Sequence, residues 1–318
     1  MKKVSVFLIT YNHEKYVAKA IESVIAQKVN FDFELIIGED FSTDNTRAIC
    51  EQYANKYPAL IKLLPSGRNY GMMANARRIL QICTGEYIAM CEGDDYWTDV
   101  LKLQKQVDFL DANPDFSICF SETEIIDELE WNLPEEQFYP KREKDTFTIE
   151  DFILSSMSII PTATMLFRNL LPNPLPAFWE DASGGDIIIQ LLIGDKGKAR
   201  FMAEKMAVYR NHAGGITKSE RMQLDENKEP VLKETLKCIN EYLGFKYDKV
   251  FRVRFFEMSR MQLIYGARNK KGVERIKHYF KRMPDYIKYS DKINFKELIY
   301  YHFVLFFPSF LKLLKRKK

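Results

Sequence analysis

The sequence lacks most of the short signatures that assign a protein at sight. It has neither a Walker A loop nor a Gly-x-Gly-x-x-Gly turn, so ATPase and dinucleotide readings fall away. Its five cysteines, Cys50, Cys83, Cys91, Cys119 and Cys238, lie far apart, with no Cys-x-x-Cys pair and no metal-finger spacing. Three of them sit in apolar periodic segments and read as small buried hydrophobes in a reducing compartment. An excess of one charge is missing too. The 47 Lys and Arg against 44 Asp and Glu leave a formal +3, too near balance for a nucleic-acid binder. The first apolar run stops at Ile9, too short for a secretory h-region, and no small-residue cleavage site follows. A first strand and a cytoplasmic address are expected instead. No internal repeat or low-complexity tract is visible.

What is present suits an enzyme-sized α/β chain. At 318 residues and 46% hydrophobic content, the chain can hold one large domain with an appendage, or two ordinary domains. Continuous apolar runs at 4–9, 33–38, 60–64, 87–91 and 116–120 read as strands covered on both faces. Between them apolar residues recur at helical spacing, as in Val17, Ala20, Ile21, Val24 and Ile25. Asn12 is expected to cap that helix, Asp44 or Ser42 the next, and Gly85 to close the third in a left-handed conformation. Strands alternating with amphipathic helices predict βαβ units and a largely parallel sheet. Residues 122–144 are acidic and irregular and read as a surface excursion. After about Arg221 the pattern is helical and charged, so domains of 1–221 and 222–318 are expected.

Ligands in such sheets bind beyond the carboxyl ends of the strands. Three polar clusters occur there: Thr10–Asn12, 39–44 and 92–95. They should therefore line one crevice. In the last of them Glu92, Asp94 and Asp95 follow a buried strand, with Gly93 between. Carboxylates gathered in this way repel one another unless a cation or a donor-rich ligand is present, and hard oxygens suit Mg²⁺ or Mn²⁺. Taken alone, the same residues also describe a solvated acidic turn.

Taken together, VSVFLITYN, ELIIGEDFSTDNT, RNYGMMANARR and EYIAMCEGDD resemble the nucleotide-sugar-binding half of family-2 glycosyltransferases, over roughly residues 1–215. The resemblance implies a GT-A-type fold with a mostly parallel mixed sheet, a C-terminal helical region outside it, and transfer of sugars with inversion. It implies donor contacts from Thr10, Tyr11, Asn12 and Asp40, with Arg68 and Asn69 plausible from the third βα loop. The family's Asp-x-Asp triplet falls on Glu92-Gly93-Asp94, making Asp94 the expected ligand of a Mn²⁺ or Mg²⁺ ion, with Glu92 and His212 beside it. Its later acidic pair falls on Gly185-Asp186, so Asp186 is the expected base, although it also reads as a helix cap. Arg210 is a candidate for the diphosphate. Asp95, Trp97 and Trp179 are expected near the acceptor, with packing as the competing reading for both tryptophans. The Gln-x-x-Arg-Trp element of processive synthases is absent, which favours one sugar per encounter.

The expected activity is transfer from a nucleotide sugar, with a UDP-sugar the default, to a glycan or lipid-linked acceptor in surface polysaccharide synthesis. A non-catalytic nucleotide-sugar-binding or scaffold protein is the alternative, kept open by Gly185. A nucleotidyltransferase would need a glycine-rich basic loop after the first strand, and ITYNHEKY has no glycine. Residues 298–318 end in Lys312, Lys315, Arg316, Lys317 and Lys318. As a helix, 298–311 spans about 21 Å at ~1.5 Å per residue, short of a ~30 Å hydrocarbon core. Peripheral docking on the anionic inner face of the plasma membrane is expected, against packing on the catalytic domain or a homodimer seam.

Overall fold

The computed structural model describes residues 2–130, 138–155, 158–215, 228–269 and 272–289. A mostly apolar run needs cover on both sides, and β1 (Val4–Thr10) has it, with Val4, Val6 and Leu8 buried on one face and Ser5 and Phe7 on the other. The chain crosses over through α1 (Val17–Ile25) to β2 (Phe33–Glu39) and through α2 (Thr46–Lys56) to β3 (Ile61–Leu63). It returns through α3 (Met72–Leu80) to β4 (Tyr87–Glu92), on the other side of β1. α1 buries Val17, Ala20, Ile21 and Val24, the i, i+3, i+4, i+7 stripe of an amphipathic helix. The valine and isoleucine side chains each contribute roughly 1.5–3 kcal/mol on burial, largely offset by lost chain entropy.

Next come β5 (Tyr96–Trp97), α4 (Lys102–Ala112), β6 (Phe116–Asp127), β7 (Thr146–Phe147), α5 (Ile149–Leu154), β8 (Leu166–Arg168), α6 (Gly185–Gly194) and β9 (Lys198–Asn211). The sheet runs β3-β2-β1-β4-β8-β6-β9-β5, with β7 also on β9. Its long ladders are parallel: β1 with β2 and β4, and β6 with β9. The antiparallel ladders, made by β5, β7 and β8, are only two or three residue pairs each. This is the mixed, mostly parallel α/β sheet expected.

Several local expectations need correction. Asn12 does not cap α1; it stands at φ +55°, and its side chain accepts the Thr43 N–H at 2.8 Å. Asp44 does serve α2, accepting the Thr46 N–H at 2.9 Å. Gly85 is not a left-handed helix end, since α3 stops at Leu80 and Gly85 lacks a positive φ. It is required because a Cβ there would collide with the Ser5 nitrogen and lie 2.7 Å from the Val4 carbonyl carbon. Nor does irregular chain begin at 122. β6 continues to Asp127 because β9 pairs with it throughout, from Phe116↔Lys198 to Asp127↔Asn211.

The chain divides into two compact units, Met1–Ile239 and Asn240–Lys318. Most of α7 (Lys228–Tyr242) falls in the first, while α8 (Asp248–Asn269) and α9 (Gly272–Tyr289) belong to the second. The second has its own small core of Leu263, Tyr279, Met283 and Tyr286, with Phe256 and Ile264 packed against it. The expected boundary at 221 and the tail 298–318 lie outside the described residues. Among the described residues no helix is long and apolar enough to cross a membrane.

Candidate active site

Parallel register brings three strand ends together. Thr10 pairs with Glu39 and Ile9 with Glu92. The Asp40 N–H donates to the Thr10 carbonyl at 3.0 Å and the Gly93 N–H to the Ile9 carbonyl at 2.9 Å. Only glycine fits at 93, since a Cβ would overlap the Thr10 side chain. Its absence lets Asp94 turn in beside β1. From the other side, β5 pairs with β9 through Tyr96↔Val208 and Trp97↔Ala207, which carries His212 to the same place. The three expected clusters do meet at one edge of the sheet.

At its centre His13, Asp94 and His212 offer ligand atoms that all lie within 4.8 Å of one another. His212 Nε2 is 3.0 Å from Asp94 Oδ2 and His13 Nε2 is 3.7 Å from it. Thr10 Oγ1 lies 3.2 Å from His13 Nδ1. With that nitrogen donating, Nε2 keeps its lone pair for a metal. Burial lowers the His13 pKa below its usual value despite the nearby Asp94 charge, which keeps the ring neutral and able to ligate. Burial works against ionisation of Asp94, yet its hydrogen bond with His212 and the electrostatic influence of the two neighbouring imidazoles hold its pKa below the usual range. Two imidazoles and a carboxylate fit a divalent cation, and the nitrogen donors tilt the choice from Mg²⁺ towards a transition metal such as Mn²⁺.

The other two acids behave differently. Glu92 is pushed up to about 8 by burial and by the charges of Asp94 and Asp186. Burial, then Asp94 and Glu92, raise Asp95 well above the carboxylate range, and Asp95 Oδ1 accepts the Arg210 N–H at 2.9 Å. Asp95 is thus a buried anchor for β9 rather than a site-lining group. Glu92 stands outside the His13–Asp94–His212 group, although sequence alone pairs it with Asp94 as a ligand.

The remaining expected residues divide clearly. Tyr11 is exposed at the end of β1. Asn12 is committed to the turn after β2, donating its backbone N–H to Ser42 Oγ and accepting from Thr43. Asp40 accepts the Tyr70 and Gly71 N–H groups at 2.7 and 2.9 Å, so it secures the third loop. Asn69 also accepts from Gly71, and Arg68 lies over the Tyr70 ring. Arg210 pairs with Glu128 at 3.3 Å and stacks over Tyr16 and Tyr96. Asp186 occupies the first turn of α6, after the left-handed Gly184. Trp97 and Trp179 must be moved to the core. Both are buried, and their indole N–H groups donate to the carbonyls of Ala163 and Met73. Neither offers a face to a sugar.

His13 is the residue that sequence reasoning missed. A signal was available, because one of only four histidines in the chain directly follows Thr10-Tyr11-Asn12. Tyr16 was missed as well; its ring lies 4.7 Å from that of His212 and its hydroxyl donates to Glu128 at 2.7 Å.

Residues 5–171 match the family described as Glycosyl transferase family 2. A Mycobacterium tuberculosis protein described as uncharacterized is 35% identical over 222 residues, covering 67% of this chain and 60% of its own. The chain therefore spans about 60% of that relative's length. Among solved structures, S. aureus TarS 1–349 is similar with a TM-score of 0.59 and 20% identity, over 91% of this chain and 81% of that one. A mannosyltransferase from Pyrobaculum calidifontis, solved with GDP-Man and Mn²⁺, is similar with a TM-score of 0.54 and 13% identity, over 100% and 88%. At these identities the structural likeness is one of fold.

Proposed function

The chain belongs to glycosyl transferase family 2, and on that premise we propose that it is a metal-dependent, inverting glycosyltransferase. It moves one sugar at a time from a nucleotide sugar to a hydroxyl of a glycan or lipid-linked acceptor. The observation that carries this reading is the meeting of His13, Asp94 and His212 at strand ends shared with Thr10 and Asp40.

Inverting transfer needs a stabilised leaving group, a base and alignment of the two. For the first, His13, Asp94 and His212 would hold a divalent cation, whose charge would counter that developing on the departing nucleoside diphosphate. Thr10 orients the His13 ring. Tyr11 offers an exposed aromatic face to the base of the nucleoside. Each Asp40 oxygen takes one loop N–H, and a carboxylate has about four acceptor sites, so Asp40 keeps capacity for a base N–H. Arg210 reaches a diphosphate by giving up Glu128. Asp186 accepts the proton of the acceptor hydroxyl, a role worth roughly 10²–10⁴-fold in rate. Its support is its place in the first turn of α6 with its charge felt at Glu92. The family resemblance is the ground for placing this reaction in surface-glycan synthesis, and the aromatic and basic composition of the tail 298–318 is the ground for placing it at the inner membrane face.

A non-catalytic nucleotide-sugar-binding protein is the second reading. It is favoured by Gly185, which stands where the family's pattern has an acid and packs near Met73. Thermal shift with a panel of nucleoside diphosphates and nucleotide sugars, with Mn²⁺ or EDTA, tests the first reading. Mn²⁺-dependent stabilisation that Asp94→Asn sharply weakens is expected. Equal donor affinity in wild type and variant, with and without EDTA, would sink it. Sugar transfer or donor hydrolysis by the purified protein removes the second.

A further inference from the structure

We propose that one exposed edge of α9 is a docking face for an anionic lipid surface. The helix packs one side into the second unit's core, burying Tyr279, Met283 and Tyr286, with His278, Arg282 and Tyr289 also buried. Beside that packed side runs a second apolar row that nothing described covers. Ile276 is 38% exposed, Phe280 64% and Ile287 47%, and Pro284 between them is exposed as well. At roughly 100° of rotation per residue, these four fall within about 80° of one another, and the row runs about 16 Å along the axis.

The next row round the helix consists of Lys277, Lys281 and Lys288, all exposed. Among the described residues none of the three is paired with a carboxylate. The helix carries two acids near them, exposed Glu274 at its start and half-buried Asp285, which follows Lys281 and precedes Lys288. An apolar ridge bordered on one side by packed core and on the other by ammonium groups is suited to lying in a membrane interface. The ridge enters the acyl boundary while the lysine stems reach the headgroups. The helix does not cross, because its opposite side is committed to the protein core.

Charge decides between lipid and a second copy of this chain. A two-fold interface on the same ridge would either set one lysine row close to its own image, with the helices antiparallel, or leave both rows without an acidic partner, with the helices parallel. An anionic surface instead gains from all three, roughly fivefold in affinity for each near-surface cation. The sequence beyond α9 continues with similar chemistry, aromatic and then basic. The inference stands on α9 itself and on neither that tail nor the glycosyltransferase reading.

The test uses the full chain carrying Phe280→Trp, with vesicles of phosphatidylcholine alone or mixed with phosphatidylglycerol, some bearing brominated acyl chains. The introduced indole should shift to the blue and be quenched by brominated lipid in the anionic vesicles, and far less in neutral ones. Reversal at Lys277, Lys281 and Lys288 to Glu should lower vesicle affinity at least tenfold. Phe280→Asp with Ile287→Asp should do the same, while leaving nucleotide binding in solution unchanged. Vesicle binding without quenching would place docking elsewhere on the chain and overturn the proposal. A blue shift without lipid that grows with protein concentration would show a second copy on this face, and would overturn it equally.

Discussion

At the scale of single residues, the site works through a division of charge. Three acids, Glu92, Asp94 and Asp95, crowd one strand end, and the surroundings leave only Asp94 with its pKa below the usual range, through His13 and His212. Held in this way, Asp94 and the two imidazoles are ready for a cation. His13→Ala should therefore raise the Mn²⁺ concentration for half-maximal nucleotide binding by at least about tenfold, as ligand-shell losses commonly do. A metal titration followed by calorimetry reads this directly, and an unchanged Mn²⁺ requirement would remove His13 from the set. Asp186 should behave in the opposite way. Asp186→Asn is expected to keep donor affinity and lose transfer, since the base acts on the acceptor. Near wild-type transfer by that variant would return Asp186 to the role of a helix-start residue.

At the scale of elements, α4 carries an internal cost. Its first residue, Lys102, is fully buried, donates to Gln106 Oε1 at 2.7 Å and lies 4.4 Å from the centre of the Trp97 ring. No ion pair reaches it among the described residues, and burial lowers its pKa to about 7. An unfolded lysine titrates near 10.4, so between about pH 7 and that value the unfolded chain binds the extra proton. Stability should thus rise with pH across this window and lie at its low plateau below about 7. Lys102→Met, similar in volume, removes the buried charge and leaves one amide oxygen unpaired. The variant should be more stable at pH 7, by on the order of a few kcal/mol at most, with a flatter profile between pH 7 and 10. Urea unfolding at several pH values checks both. A variant with the wild-type pH slope would show that Lys102 stays charged in the fold.

At the scale of the whole molecule, the first unit holds the candidate site and the second presents an amphipathic helix. The tail 298–318 is expected to attach the protein to membranes together with α9. In flotation with anionic vesicles, truncation before Asn294 should reduce the bound fraction severalfold, and high salt should release the full chain. Quenching of the Phe280→Trp indole should survive truncation, because separate contacts contribute independently. Flotation unchanged by truncation would sink the tail's role. Loss of nucleotide binding on truncation would show that the tail supports the catalytic fold instead.

The sequence by itself determined β1 to β4 and the start of β6, their alternation with helices, and which ends carry polar clusters. Those features are local: a doubly covered strand needs an unbroken apolar run, and an amphipathic helix needs a recurring stripe. Even the convergence of Thr10, Asp40 and Asp94 followed, since parallel strands put like ends together. Tertiary structure alone decided the rest. Asp94 and His212 are 118 positions apart, and their meeting depends on β5 pairing with β9. The same pairing makes Asp95 an anchor for Arg210. Trp97 and Trp179 went to the core because an aromatic ring suits a sugar or a carbonyl-lined interior equally well, and only the neighbours supply the answer. Gly85 likewise looked like a turn residue, yet its reason is Ser5 of the adjoining strand. Local patterns encode what one segment must bury, whereas contacts between distant segments are set by the order and register of the sheet.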